Sequence, residues 1–143
     1  MQLSPHFSLE EFCVSQTAAR MGLSNDPPLE VVANLKRTAI GLERVRVLLN
    51  ANAIHINSGY RSPKVNAAVG SKPTSQHVTG QAADIICPTF GTPERVMDVI
   101  VNSAVDYDQI ILEFGSWVHI SFTNGKPRQQ ALIIDNRGTR AFT

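Results

Sequence analysis

The chain has 143 residues, of which 43% are hydrophobic and 17% charged, a balance that fits one globular domain over 1–143 and excludes disordered and fibrous classes. Thirteen Lys and Arg against twelve Asp and Glu leave a net charge of +1. With those cations scattered along the chain, no electrostatic footprint marks it for nucleic acid or an anionic membrane.

The start, MQLSPHFSLEEF, lacks the basic residues and apolar run of a secretory signal, and no stretch approaches the roughly 20 apolar residues of a membrane span. A chain made in the cytoplasm, without membrane insertion, is therefore expected. Work outside the cell would need another protein to release it. Cys13 and Cys87 have no partner at metal-ligand spacing and read as buried free thiols.

Ser8 and Glu11 form a capping-box pattern, and Phe7 with Phe12 a hydrophobic staple, so a short helix is predicted from Leu9. Gly22 and the run SNDPP (24–28) separate it from the longest predicted helix, whose apolar stripe runs Val31, Leu35, Ala39, Leu42, Val45, Leu49. Beyond Asn50 the pattern changes to short strands. IHINSGY (54–60) alternates with Ile54, Ile56 and Ser58 on one face, and AADII (82–86) is a brief apolar run. The segment between them reads as a long loop.

Thr92 and Pro93 open a further helix with Val96, Met97 and Ile100 buried. The strands QIILEF (109–114) and WVHISF (117–122) follow, joined by a turn around Gly115 and Ser116. ALIID (131–135) reads as a last strand that Pro127 places at an edge. Helices first and mainly antiparallel strands afterwards define an α+β domain.

Strand parity brings the chemistry together, because alternate side chains point to opposite faces. In WVHISF the core set is Val118, Ile120 and Phe122, which leaves His119 on the other face with Trp117 and Ser121. In QIILEF the core set is Ile110, Leu112 and Phe114, which leaves Glu113 on the same face as His119 if the turn holds three residues. The stretch SQHVTGQAAD (75–84) adds His77 and Asp84 with only small residues between them. Two imidazoles and one carboxylate with an open position make the ligand pattern of a catalytic zinc ion. Taken by itself each residue has a plainer reading, His77 as a loop residue and His119 as a hydrogen-bonded core histidine. His6 and His55 read as surface residues.

SQHVTGQAAD follows, position by position, the pattern S-x-H-x-x-G-x-A-x-D. SGYRSP (58–63) precedes it and WVHIS (117–121) comes after it. In these three signatures the chain resembles the zinc D-alanyl-D-alanine peptidases, a family of bacterial carboxypeptidases, dipeptidases and phage endolysins. FSLEEF and TAARMGLSNDPP further resemble a small, often phage-encoded branch.

The resemblance implies a Hedgehog/DD-peptidase-like fold with N-terminal helices packed on a small sheet, acting as a monomer. It implies one Zn²⁺ held by His77, Asp84 and His119, with Arg61 holding a substrate carboxylate or a developing oxyanion. Ser75, Gln81, Tyr60 and Trp117 are candidates for orienting ligands or contacting substrate, and a structural role is open for each. Many relatives carry the catalytic acid three residues before the second histidine, where this chain has Ser116. Glu113 is then the favoured base, with Asp106 and Asp108 as fallbacks.

The implied activity is hydrolysis of peptide bonds in peptidoglycan stems or crosslinks, of carboxypeptidase, dipeptidase or endopeptidase type. A cell-wall or virion-associated binding module on the same fold is the alternative.

Overall fold

Ser8 begins the first helix as its neighbours predict. In the computed structural model, which describes residues 1–143, helix α1 (Leu9–Cys13) carries both bonds of the capping box. Glu11 N donates to Ser8 Oγ at 3.3 Å and Ser8 N donates to Glu11 Oε1 at 3.0 Å. Just ahead of it, β1 (Gln2–Ser4) and β2 (Phe7–Ser8) form a small antiparallel pair. The rings of Phe7 and Phe12 sit 6.4 Å apart and close the staple.

A second short helix, α2 (Gln16–Met21), is absent from the sequence-based expectation. Ser15 caps its start and Gly22, at φ 65°, ends it in the left-handed region; six residues are too few for a helical stripe to show. The long helix α3 (Leu29–Leu48) buries Val31, Leu35, Ala39, Leu42 and Val45, as its spacing predicts.

Six strands make the main sheet: β3 (His55–Ser58), β4 (Ala82–Ile86), β5 (Gln109–Glu113), β6 (Trp117–Ser121), β7 (Gln130–Asp135) and β8 (Gly138–Ala141). Their spatial order is β3-β4-β6-β5-β7-β8, and every neighbouring pair is antiparallel except β5 with β7. α3 and α5 (Pro93–Val101) contribute Leu35, Leu42, Met97 and Ile100 to one hydrophobic core with Ile85, Ile110, Val118 and Ile120 of the sheet. The α+β class with helices on a mainly antiparallel sheet is what the order of elements predicts. No helix is long and apolar enough to cross a membrane.

Other details differ from expectation. The stretch between β3 and β4 contains helix α4 (Pro63–Ala68), started by the Ser62 side chain and Pro63. In β3 a register shift falls between Ile56 and Ser58, so Ile56 pairs with Ile85 while Ser58 pairs with Asp84. Ser58 therefore leaves the face of Ile56 and joins that of Asp84. Finally, β7 is an interior strand: it lies parallel to β5, and the exposed β8 takes the edge. Cys87 is buried as expected, whereas Cys13 is only partly so; neither forms a disulfide.

The chain leaving β3 passes very close to α1. Tyr60 N donates to Phe12 O at 2.7 Å, and a Cβ on Gly59 would lie 2.6 Å from Phe12 O and 2.8 Å from its Cα. Only glycine fits there without displacing backbone. Gly59→Ala is expected to lower stability by about 1–3 kcal/mol, read as a lower urea midpoint at unchanged slope.

Candidate metal centre

His119 is presented by the strand whose other face fills the core. Val118 and Ile120 are fully buried on either side of it, and the registers of β4 and β5 on β6 set Asp84 and Ile111 directly opposite His119. Glu113 pairs with Trp117 across a three-residue turn, Phe114 to Ser116, closed by Ser116 N donating to Glu113 O at 2.9 Å. Phe114 and Gly115 both take positive φ in that turn, 53° and 63°. Glu113 thus lies on the face of His119, as parity predicts.

His77 comes from the loop after α4, and that loop is pinned to α3. Thr38 Oγ1 donates to Gly80 O at 2.8 Å. Gly80 itself has φ +76° and lies against Val31, whose Cγ1 would be 2.9 Å from an added Cβ. The His77 ring is oriented by a main-chain carbonyl: its Nδ1 is 2.6 Å from Gly59 O. A carbonyl only accepts, so Nδ1 carries the proton and Nε2 offers its lone pair to the site.

Three ligand-type atoms converge. His77 Nε2 is 3.2 Å from His119 Nδ1 and 3.3 Å from Asp84 Oδ1, and His119 Nδ1 is 3.0 Å from Asp84 Oδ1. All three residues are at most 8% exposed. Metal–ligand bonds of about 2.0–2.1 Å in a tetrahedron place neighbouring ligand atoms roughly 3.3–3.4 Å apart, so the donor set fits a small cation without rearrangement. Lone pairs this close need either protons or a cation between them. Burial pushes the Asp84 carboxyl up, but the His119 and His77 rings beside it together outweigh burial and hold the group well below the usual carboxylate range.

Glu113 stands beside the cluster, with Oε1 3.9 Å from His119 Nδ1. Trp117 Nε1 donates to its Oε2 at 3.2 Å and fixes the carboxylate. Burial first, and then the charge of Asp84, raise the Glu113 pKa above the ordinary value; His119, the Trp117 bond and Arg61 oppose them. Arg61 shares the cleft. Its Nη2 donates to Ser71 Oγ at 3.4 Å and Ser75 Oγ at 3.3 Å, while its buried Nε has no partner. Burial lowers the Arg61 pKa, and the charges of Asp84 and Glu113 draw it back.

A cleft of about 720 Å³ holds Arg61, Asp84 and Trp117 and extends along β3 past His55 and Asn57 to Val14 and Thr17. Trp117 is both a wall of the cleft and the hydrogen-bond partner of Glu113. Ser75 orients Arg61 and, by accepting from His77 N at 3.2 Å, the ligand loop. Gln81 is a brace: it accepts from Thr79 Oγ1 at 2.6 Å and donates to Phe122 O at 3.4 Å.

Tyr60 is a correction to the expected substrate contacts. It is 3% exposed and belongs to the hydrophobic core, its backbone tied down on α1 by the bond to Phe12 O. The fallback bases lie elsewhere as well. Asp106 is exposed and lines a different groove, and Asp108 is engaged by Arg128. Sequence reasoning passed over the Gly59 carbonyl and Ser71, since a main-chain acceptor and an isolated loop hydroxyl leave no pattern.

A family model described as Peptidase M15 matches residues 5–121, a span that takes in His77, Asp84, His119, Glu113 and Arg61. No curated protein matches the chain significantly.

Stability should register the strain at Glu113. A carboxyl with a raised folded-state pKa contributes stability that is complete below the ordinary glutamate range, about 4.3, and lost as pH rises through the raised value. In metal-free protein Glu113→Gln is therefore expected to melt higher than wild type at neutral pH, and the gap should close near pH 4, as followed by thermal unfolding at both values.

Proposed function

Because the chain belongs to the peptidase M15 family, we propose that it is a zinc-dependent peptidase that hydrolyses peptide bonds in the stems or crosslinks of peptidoglycan. The observation that carries this reading is the convergence of His77 Nε2, Asp84 Oδ1 and His119 Nδ1, with the Glu113 carboxylate beside them. When bound there, zinc would polarise a scissile carbonyl and bring the pKa of water toward roughly 7.

The chain's own groups supply the rest. Glu113, fixed by Trp117, accepts the proton of the attacking water and returns it to the departing amine. The upward shift of its pKa makes it a better proton acceptor than an ordinary glutamate. Arg61, steadied by Ser71 and Ser75, directs a planar fork of donors into the cleft for a substrate carboxylate or the developing oxyanion. The cleft's extension along β3 supports an extended stem peptide over a free dipeptide. A wall-lytic role of the phage endolysin type is part of this reading, on the likeness of the N-terminal segments to that branch.

Purified peptidoglycan incubated with zinc-loaded protein should release muropeptides identifiable by mass spectrometry, and their free termini name the bond cut. Glu113→Gln should keep its zinc and lose about 10²–10⁴-fold in release rate. Binding to the wall without release by wild-type protein would favour the non-catalytic module instead.

A further inference from the structure

Residues 122–143 lie beyond the part of the chain that the family model matches, yet one of them reaches the segment that carries a metal ligand. Asp108, at the entry to β5, has a side chain 8% exposed. Arg128, in the connection to β7, donates to it three times: N to Oδ1 at 2.9 Å, Nε to Oδ1 at 3.1 Å and Nη2 to Oδ2 at 3.0 Å. The fourth donor is Gln76 Nε2, at 2.9 Å from Oδ2, and Arg128 Nη2 lies 3.4 Å from Gln76 Oε1. Gln76 immediately precedes His77.

The main chain of Asp108 is held just as firmly. Its N donates to Ser121 O at 2.8 Å, and its O accepts from Gln130 N at 3.1 Å. Asp108 is consequently a fixed point at the junction of β5, β6 and β7. On the other side of the loop, Ser75 Oγ accepts from Arg61 Nη2 and from His77 N, and His77 O accepts from Arg61 N at 3.1 Å. The segment 75–77 is thereby gripped from two directions, by Arg61 on one side and by Asp108 through Gln76 on the other.

We propose that Asp108, Arg128 and Gln76 form a clamp that positions His77, so that the chain beyond the matched region sets how tightly the ion is held. Arg128 and Gln76 touch neither the ligand atoms nor the cleft; they act through the loop backbone. Partners that orient ligands from behind are worth about 10–100-fold in metal affinity. Because Asp108 retains all three Arg128 bonds when Gln76 is shortened, the tie between β5 and the β7 connection survives that change. Gln76→Ala thus separates the positioning of His77 from general stability.

The inference rests on His77, Asp84 and His119 being the ligands, and the test distinguishes failure of one from failure of the other. Zinc affinity is measured by competition with a chromophoric chelator for wild type, Gln76→Ala, Arg128→Ala and the double variant, alongside urea unfolding of each metal-free protein. Expected are a loss of tenfold or more in affinity for Gln76→Ala at an unchanged urea midpoint, and a double variant no weaker than Arg128→Ala alone, since the two act as a unit. Wild-type affinity in Gln76→Ala overturns the clamp while leaving the peptidase reading intact. Absence of zinc binding by wild-type protein overturns both. Should Arg128→Ala fail to fold, the comparison of Gln76→Ala with wild type decides the matter by itself.

Discussion

Asp84 stands opposite His119 because β4 and β6 pair in a single register, and the rest of the candidate site is placed relative to that pair. A slip of one residue would turn His119 into the core and send Val118 or Ile120 toward water. Those two side chains and Ile85 are fully buried, each worth about 1.5–3 kcal/mol on burial, so the hydrophobic face of the sheet enforces the polar one. The same face contributes Ile111 and Glu113 from β5 and Ser58 from β3. Apolar packing below the sheet thus sets the geometry of the candidate ligands above it.

That geometry concentrates charge where solvent is scarce. The charge of Asp84 adds to burial in raising the cost of ionising Glu113, Arg61 is partly desolvated, and two imidazoles lie beside Asp84. A divalent ion would relieve the carboxylates together, and this coupling makes the site a place where binding energy and folding energy are hard to separate. The neighbouring supports are neutral and short-ranged: a carbonyl behind His77, an indole behind Glu113 and two hydroxyls behind Arg61.

How far the sequence discloses this arrangement depends on how local the cause is. The cap at Ser8, the stripe of α3 and the parity of β5 and β6 are written in spacing alone, so the face shared by His119 and Glu113 is legible without coordinates. His77 and Asp84 needed the added weight of the motif, because a loop histidine has no periodicity. What escaped is non-local. The shift at β3 that moves Ser58 to the Asp84 face depends on pairing with β4. The burial of Tyr60 depends on α1 approaching Gly59. The parallel placement of β7 depends on a crossover whose end is fixed by Arg128 on Asp108. Helices α2 and α4, of six residues each, are shorter than two turns and are marked only by their caps.

Trp117 is the chain's only tryptophan, and it bonds to the carboxylate beside the converging ligands while lining the cleft. Its fluorescence therefore originates at one known place, with no second indole to dilute the signal. Ionisation of Glu113, arrival of a cation or occupation of the groove each alters the surroundings of that ring, so the protein carries an intrinsic optical reporter on the spot where chemistry is assigned.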